Sequence, residues 1–171
     1  MTGPLLAADL VTLAGRGWSR AAVAELLAVH AIRRRELSEE ACERLRLWAA
    51  KLRTAFTARS VPERIEAINA LLAVGTSHAY LTTHDELRPH LHFAAENDDL
   101  VARVQAVTAG GLAIFSVEAE GARLGACERD GCPAVFVDTS RNGRRSYCST
   151  TCGNYEAVRR HRATARAGGI S

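Results

Sequence analysis

Aromatic side chains are scarce in this chain: two Trp, three Tyr and four Phe make 5% of 171 residues. With alanine abundant, that scarcity favours helix over sheet. No apolar run nears the ~20 residues of a membrane span, and no N-terminal stretch has the charged, apolar and small-residue order of a signal peptide. The expected setting is therefore cytoplasmic, with no membrane partner. Internal repeats, low-complexity tracts, a glycine-rich phosphate loop, a nucleophile elbow and a zinc-protease motif are all missing. No enzymatic activity is expected. A hydrophobic fraction of 47% with 24% charged residues is that of an ordinary globular protein, which excludes wholesale disorder.

Cysteine is nearly absent from the first three quarters of the chain. Cys42 lies in a helical pattern and reads as a buried, inert thiol. The others form two pairs, Cys127 with Cys132 and Cys148 with Cys152, separated by fifteen residues. In a reducing compartment such pairs are metal ligands rather than disulfides, and four thiolates suit one tetrahedral Zn²⁺. A closed four-sulfur shell leaves no position for substrate, so the expected zinc is structural. Gly131 suits the turn before Cys132, and Val135–Val137 reads as a strand. Asn142-Gly143 signals a hairpin whose return strand would run from Arg144 to Tyr147. Cys148 and Cys152, four apart, would enter a helix with both thiols on one face. Knuckle, hairpin and helix together make a treble-clef-like zinc finger.

The preceding residues read as helices. Residues 1–17, with Leu5 to Leu13, read as a short helix or buried segment ending in a glycine turn at Gly15 and Gly17, and Ser19 caps a second segment carrying Val23, Leu26, Leu27 and His30. The run Arg33-Arg34-Arg35 sits at its end, where cations suit the helix dipole. Ser38 opens an amphipathic helix through Ala41, Leu45, Trp48, Leu52 and Phe56. Ser60 and Glu63 open another, with Ile65, Ile68, Leu71 and Leu72 as its buried stripe and Gly75 as its stop. Alternation near residues 78–95 predicts a β-hairpin bearing His78, His84, His90 and His92, histidines that lack the company a metal site needs. Asn97-Asp98-Asp99 announces a long helix in which Gly110-Gly111 either kinks the axis or admits a close neighbour. The fold class is mainly α with a small β-hairpin. The expected domains are a helical unit over 1–122, a finger over 123–166 and a flexible tail over 167–171.

Positive charge collects at the C-terminal end. From Cys127 to Ser171 there are eight arginines and four acids, whereas the first 126 residues carry a net charge of −1. Arg159, Arg162 and Arg166 recur at helical steps beside Arg160, and Arg141, Arg144 and Arg145 belong to the hairpin. Such arginines suit phosphates, giving DNA affinity with little sequence information. Asn142 and Asn154 are candidates for base edges, although Asn154 beside Gly153 also suits a backbone turn.

The run Cys127…Cys132, Phe136-Val-Asp138-Thr-Ser140-Arg-Asn142, Arg145, Cys148-Ser149, Cys152-Gly153-Asn154, Arg159 and Arg162 resembles the CGNR zinc finger. More loosely, Leu6-Ala-Ala-Asp9-Leu10-Val11, Lys51-Leu52-Arg53 and Ile68-Asn69-Ala70-Leu71-Leu72 resemble the ABATE domain that precedes this finger in bacterial proteins, and Arg123-Leu124-Gly-Ala-Cys127 resembles the junction between the two. The resemblance implies a stress-linked transcriptional regulator. Its finger would contact DNA, and its helical domain would sense a small-molecule effector or form a homodimer. The chain departs from the pattern at Tyr155, in place of arginine, at Glu156, in place of a basic residue, at Tyr147, in place of tryptophan, and at Thr12, in place of asparagine. The changes at 155 and 156 remove a phosphate contact and add a repulsive carboxylate, while leaving the zinc ligands intact. The alternative function is a ligand-sensing or protein-interaction module whose finger is purely structural and does not bind DNA.

Overall fold

The computed structural model describes residues 1–32, 37–82, 90–95 and 97–168. The expected features at Arg33–Arg35, His84 and 169–171 lie outside the described residues, as do the side chains of His90 and Arg166. In order the elements are α1 (Thr2–Arg16), α2 (Arg20–Val29), α3 (Glu39–Thr57), α4 (Val61–Gly75), β1 (Tyr80–Thr82) and β2 (His90–His92). There follow α5 (Leu100–Glu118), β3 (Leu124–Ala126), β4 (Val135–Val137) and α6 (Thr150–Gly168).

Local chemistry starts most of these helices. The Ser19, Ser38 and Ser60 hydroxyls accept from the amides of Ala22, Ala41 and Glu63, and Asp99 accepts from Ala102. Each bond satisfies one of the amides that a first turn leaves without a helical partner. Glu63 reaches back to the Arg59 amide at 2.9 Å, a variant of the capping box that the spacing predicts.

Helices α1, α3, α4 and α5 pack around one core in which Leu6, Leu10, Leu45, Trp48, Leu52, Phe56 and Leu112 are almost wholly buried. The Trp48 indole donates to Thr108 Oγ1 at 2.9 Å, so the core's largest side chain has its polar atom satisfied. Glycine decides the crossing of α1 and α5. A Cβ on Gly3 would stand 2.4 Å from the Val107 carbonyl oxygen, and one on Gly111 would stand 2.7 Å from Gly3 Cα. Gly110 lies against Phe93 in the same way. Of the two roles open to Gly110-Gly111, close approach is the one observed, on a continuous helix.

Helix α5 also differs from expectation in composition. Its mean hydropathy of 1.6 over 18 residues makes it long and apolar enough to cross a membrane, with half of that window buried inside the fold. Its packing against α1, α3 and α4 is that of a core helix.

Two antiparallel hairpins complete the described fold. Tyr80 pairs with His92 and Leu81 with Leu91 in β1–β2. The second hairpin corrects the expected topology: β4 pairs with β3, Ala126 opposite Val135 and Leu124 opposite Val137, and residues 144–147 form no strand. Leu124, Val135 and Val137 join the main helical core, so burial rather than the Asn142-Gly143 turn selects β4's partner. The α4 stripe is corrected too. Ile68 and Leu71 are buried, but Ile65 is exposed and Arg64 lies inside.

Candidate metal centre

The turn between β3 and β4 is a knuckle closed by backbone bonds. The Cys127 amide donates to the Ala134 carbonyl at 2.9 Å, and the Cys132 amide to the Arg129 carbonyl at 3.0 Å. Gly131 has a φ of +72°, a left-handed conformation that disfavours other residues and turns Cys132 back toward Cys127. The second pair sits at the start of α6. Ser149 caps that helix, its hydroxyl accepting from the Cys152 amide at 3.2 Å, which places Cys152 in the first turn.

These two pieces bring four sulfurs together. All Sγ atoms lie within 4.8 Å of one another. Separations are 3.8 Å for Cys132–Cys148, 3.5 Å for Cys148–Cys152 and 3.9 Å for Cys132–Cys152. A tetrahedral zinc with Zn–S bonds of ~2.3 Å requires sulfurs about 3.8 Å apart, so the cluster fits one Zn²⁺. Among the described residues no histidine or carboxylate converges with them, and Cys42 is buried far along the chain in α3.

The thiols ionise unequally by themselves. Burial opposes ionisation of Cys132, but the Ala134 amide and the neighbouring thiols bring it down to about 7. Burial, then the hydrogen bonds to its sulfur neighbours, push Cys148 up to about 12. The Ser149 hydroxyl is the main influence lowering Cys152. A bound dication replaces the thiol protons and lets all four sulfurs carry charge together.

Arginines and one aspartate fasten the rest of the finger. Asp138, almost fully buried, accepts from the amides of Ser140 and Arg145, each at 2.9 Å. Burial alone would raise its carboxyl, but the bonds from Ser140 and Arg145 and the charge of Arg123 hold it below the usual carboxylate range. Arg145 donates to the carbonyls of Tyr147 and Cys148 and lies 4.7 Å over the Phe136 ring, closing the approach to the second ligand pair. Arg53 of α3 donates to the Pro133 carbonyl at 2.8 Å. The Thr12 hydroxyl of α1 accepts from the Val135 amide and donates to its carbonyl, at 3.2 and 3.4 Å. Arg64 donates to the carbonyls of Ala55, Ala58, Gly121 and Leu124, tying the end of α3 to the loop entering β3. Burial lowers its pKa from the ordinary arginine value.

Residues 123–165 match the family model of the CGNR zinc finger. No curated protein matches the chain. The finger's four-cysteine cluster is a zinc-binding site for one structural ion. The tetrapeptide that gives the CGNR zinc finger its name reads Cys152-Gly153-Asn154-Tyr155 here.

The finger separates its arginines into two groups. Arg145 serves internal carbonyls. Arg159 donates to the buried Glu156 at 2.8 Å and lies 3.9 Å from Asp130 of the knuckle. Hydrogen bonding to Glu156 is the main cause that raises its pKa. Glu156 is only 4% exposed, so its carboxylate is turned into the finger rather than toward a partner. Arg141, Asn142 and Arg144 are exposed beyond β4, and Asn154, Arg160 and Arg162 are exposed along α6. Arg129 and Arg64 escape sequence reasoning. An arginine in a polar stretch carries no sign that it will face inward.

Proposed function

We propose that this protein is a zinc-dependent, DNA-binding transcriptional regulator. The observation that supports it is the placement of α6. From Ala157 to Ala165 every residue is exposed, and the helix has no extended packing against the body. The zinc centre thus holds a projecting helix by its first turn and presents Arg160 and Arg162 to solvent. Among the described residues neither makes an ion pair. Arg141 and Arg144 add cations from the same finger, and Asn142 and Asn154 are its candidates for base edges. Phosphate contacts would dominate such an interface, and the ion would act by holding shape. The helical body, which resembles an ABATE domain, would sense a small-molecule effector or pair as a homodimer. Recognition rather than catalysis is the proposed activity, in a cytoplasmic, stress-linked setting.

A second reading has its own support. Tyr155 and Val158 on α6 are 56% and 49% exposed and lie on one face with Asn154 and Arg162, a surface that also suits a protein partner. In that case the finger is structural and does not bind DNA. A salt-titrated binding assay with the zinc-loaded protein on random and genomic DNA separates the two. The first reading requires affinity that falls steeply with salt, and the absence of binding at low salt overturns it.

A further inference from the structure

Arg129 stands in the knuckle between the first two ligands, half-buried. Its Nη1 lies 3.7 Å from Cys152 Sγ, in the opposite ligand pair. Its guanidinium carbon lies 5.0 Å from the centroid of the Tyr155 ring, and its Nε is buried without a hydrogen-bond partner. Tyr155 follows Cys152 by three residues on α6, so its ring and the sulfur share one helical face.

We propose that Arg129, seated on Tyr155, is a positioning residue of the zinc centre that shields Cys152. Four thiolates around a dication carry a net charge of −2. A guanidinium donating to one sulfur offsets part of that charge and engages the lone pair with which the sulfur would attack an electrophile. The planar guanidinium can lie on the ring and donate from its edge together, which an ammonium cannot do. The inference rests on the zinc reading of the cluster.

The test uses the full chain loaded with Zn²⁺ or Co²⁺. Zinc release to a chromogenic chelator is followed under excess iodoacetamide, which forms an S–C bond and expels iodide. The thiolate-to-cobalt charge-transfer band is recorded in parallel. Arg129→Ala should speed release roughly tenfold and move the band to lower energy, since one sulfur loses a charge-assisted donor. Arg129→Lys should fall between Arg129→Ala and the parent. Tyr155→Phe should behave as the parent, whereas Tyr155→Arg, with like charge beneath Arg129, should release as fast as Arg129→Ala. Adding Tyr155→Ala to Arg129→Ala should bring no further acceleration. Unchanged release and band position in Arg129→Ala, or additive effects of the two sites, would overturn the proposal. A parent chain that fails to bind one Co²⁺ with thiolate bands would instead sink the zinc reading itself.

Discussion

The helical body and the back half of the finger are held together by different means. The body has a continuous core from Leu6 to Phe115, into which the β3–β4 hairpin inserts Leu124, Val135 and Val137. Behind that hairpin the buried apolar cluster shrinks to Cys127, Ala134 and Cys152, edged by Cys132, Tyr147 and Cys148. Four of those six residues are the zinc ligands themselves, so removing the ion removes most of what that region packs around. The division between core-held and metal-held structure therefore runs through the finger, just after β4. A knuckle on a supported hairpin offers two ligands in place, and the ion recruits α6 to them.

Zinc removal should break this comparison open with the largest effect. Apparent metal-binding energies of structural zinc in small fingers are about 10–16 kcal/mol, far more than the back half can supply alone. Chelation should abolish amide protection over Ser140–Arg162 while leaving α1, α3, α4 and the β3–β4 amides protected. Hydrogen exchange before and after chelation measures it. Loss of protection throughout β4 would show that the hairpin also depends on the ion.

Arg64→Leu probes the body's side of the join. Its donors satisfy carbonyls at the end of α3, at Gly121 and at Leu124, and no water can replace a donor that deep at no cost. Hydrogen bonds to charged groups are worth about 1.5–3 kcal/mol each before the unpaired acceptors are counted, so a loss of about 3 kcal/mol or more in denaturant unfolding is expected. Zinc stoichiometry should remain unchanged in the folded fraction.

A smaller change tests the stitch from α1 to β4. Thr12→Val leaves the Val135 amide and carbonyl without their partner, which should cost about 2 kcal/mol. Thr12→Asn should lose less, because a side-chain amide can also donate and accept. If the hairpin is fastened by this bond, Thr12→Val should raise hydrogen exchange in β4 more than in α3.

What was legible in the sequence was local. Serine caps at 19, 38 and 60 act on amides three residues away, and Gly131 serves its own turn, so chain order alone reveals them. The ligands were legible because four thiols in two close pairs match the spacing of a tetrahedral zinc site. The β4 pairing was not legible. Asn142-Gly143 is a strong short-range hairpin signal, but β3 prevails because Leu124, Val135 and Val137 bury against α1 and α3, helices distant in sequence. Arg64 was hidden for the same reason: the carbonyls that draw it inward converge only once three elements are packed. Glu156 likewise reads as a surface charge until Arg159 is seen beside it.

The smallest effect on stability should come from the residues proposed to matter most for binding. Arg160 and Arg162 are exposed on the metal-held side, beyond the buried Glu156, so replacing both by alanine should change unfolding free energy by no more than about 0.5 kcal/mol. Their loss should nevertheless weaken DNA binding to a similar degree on every sequence. It should also reduce the slope of log affinity against log salt by about one for each phosphate contact removed. Arg159→Ala provides the contrast. Its guanidinium is engaged by Glu156 and Asp130, so its replacement should alter the seating of α6 on the knuckle more than the salt slope. Equal salt slopes for the parent and the Arg160/Arg162 double variant would show that this face of α6 does not meet phosphate. The exposed Tyr155 and Val158 would then become the better guide to what the helix touches.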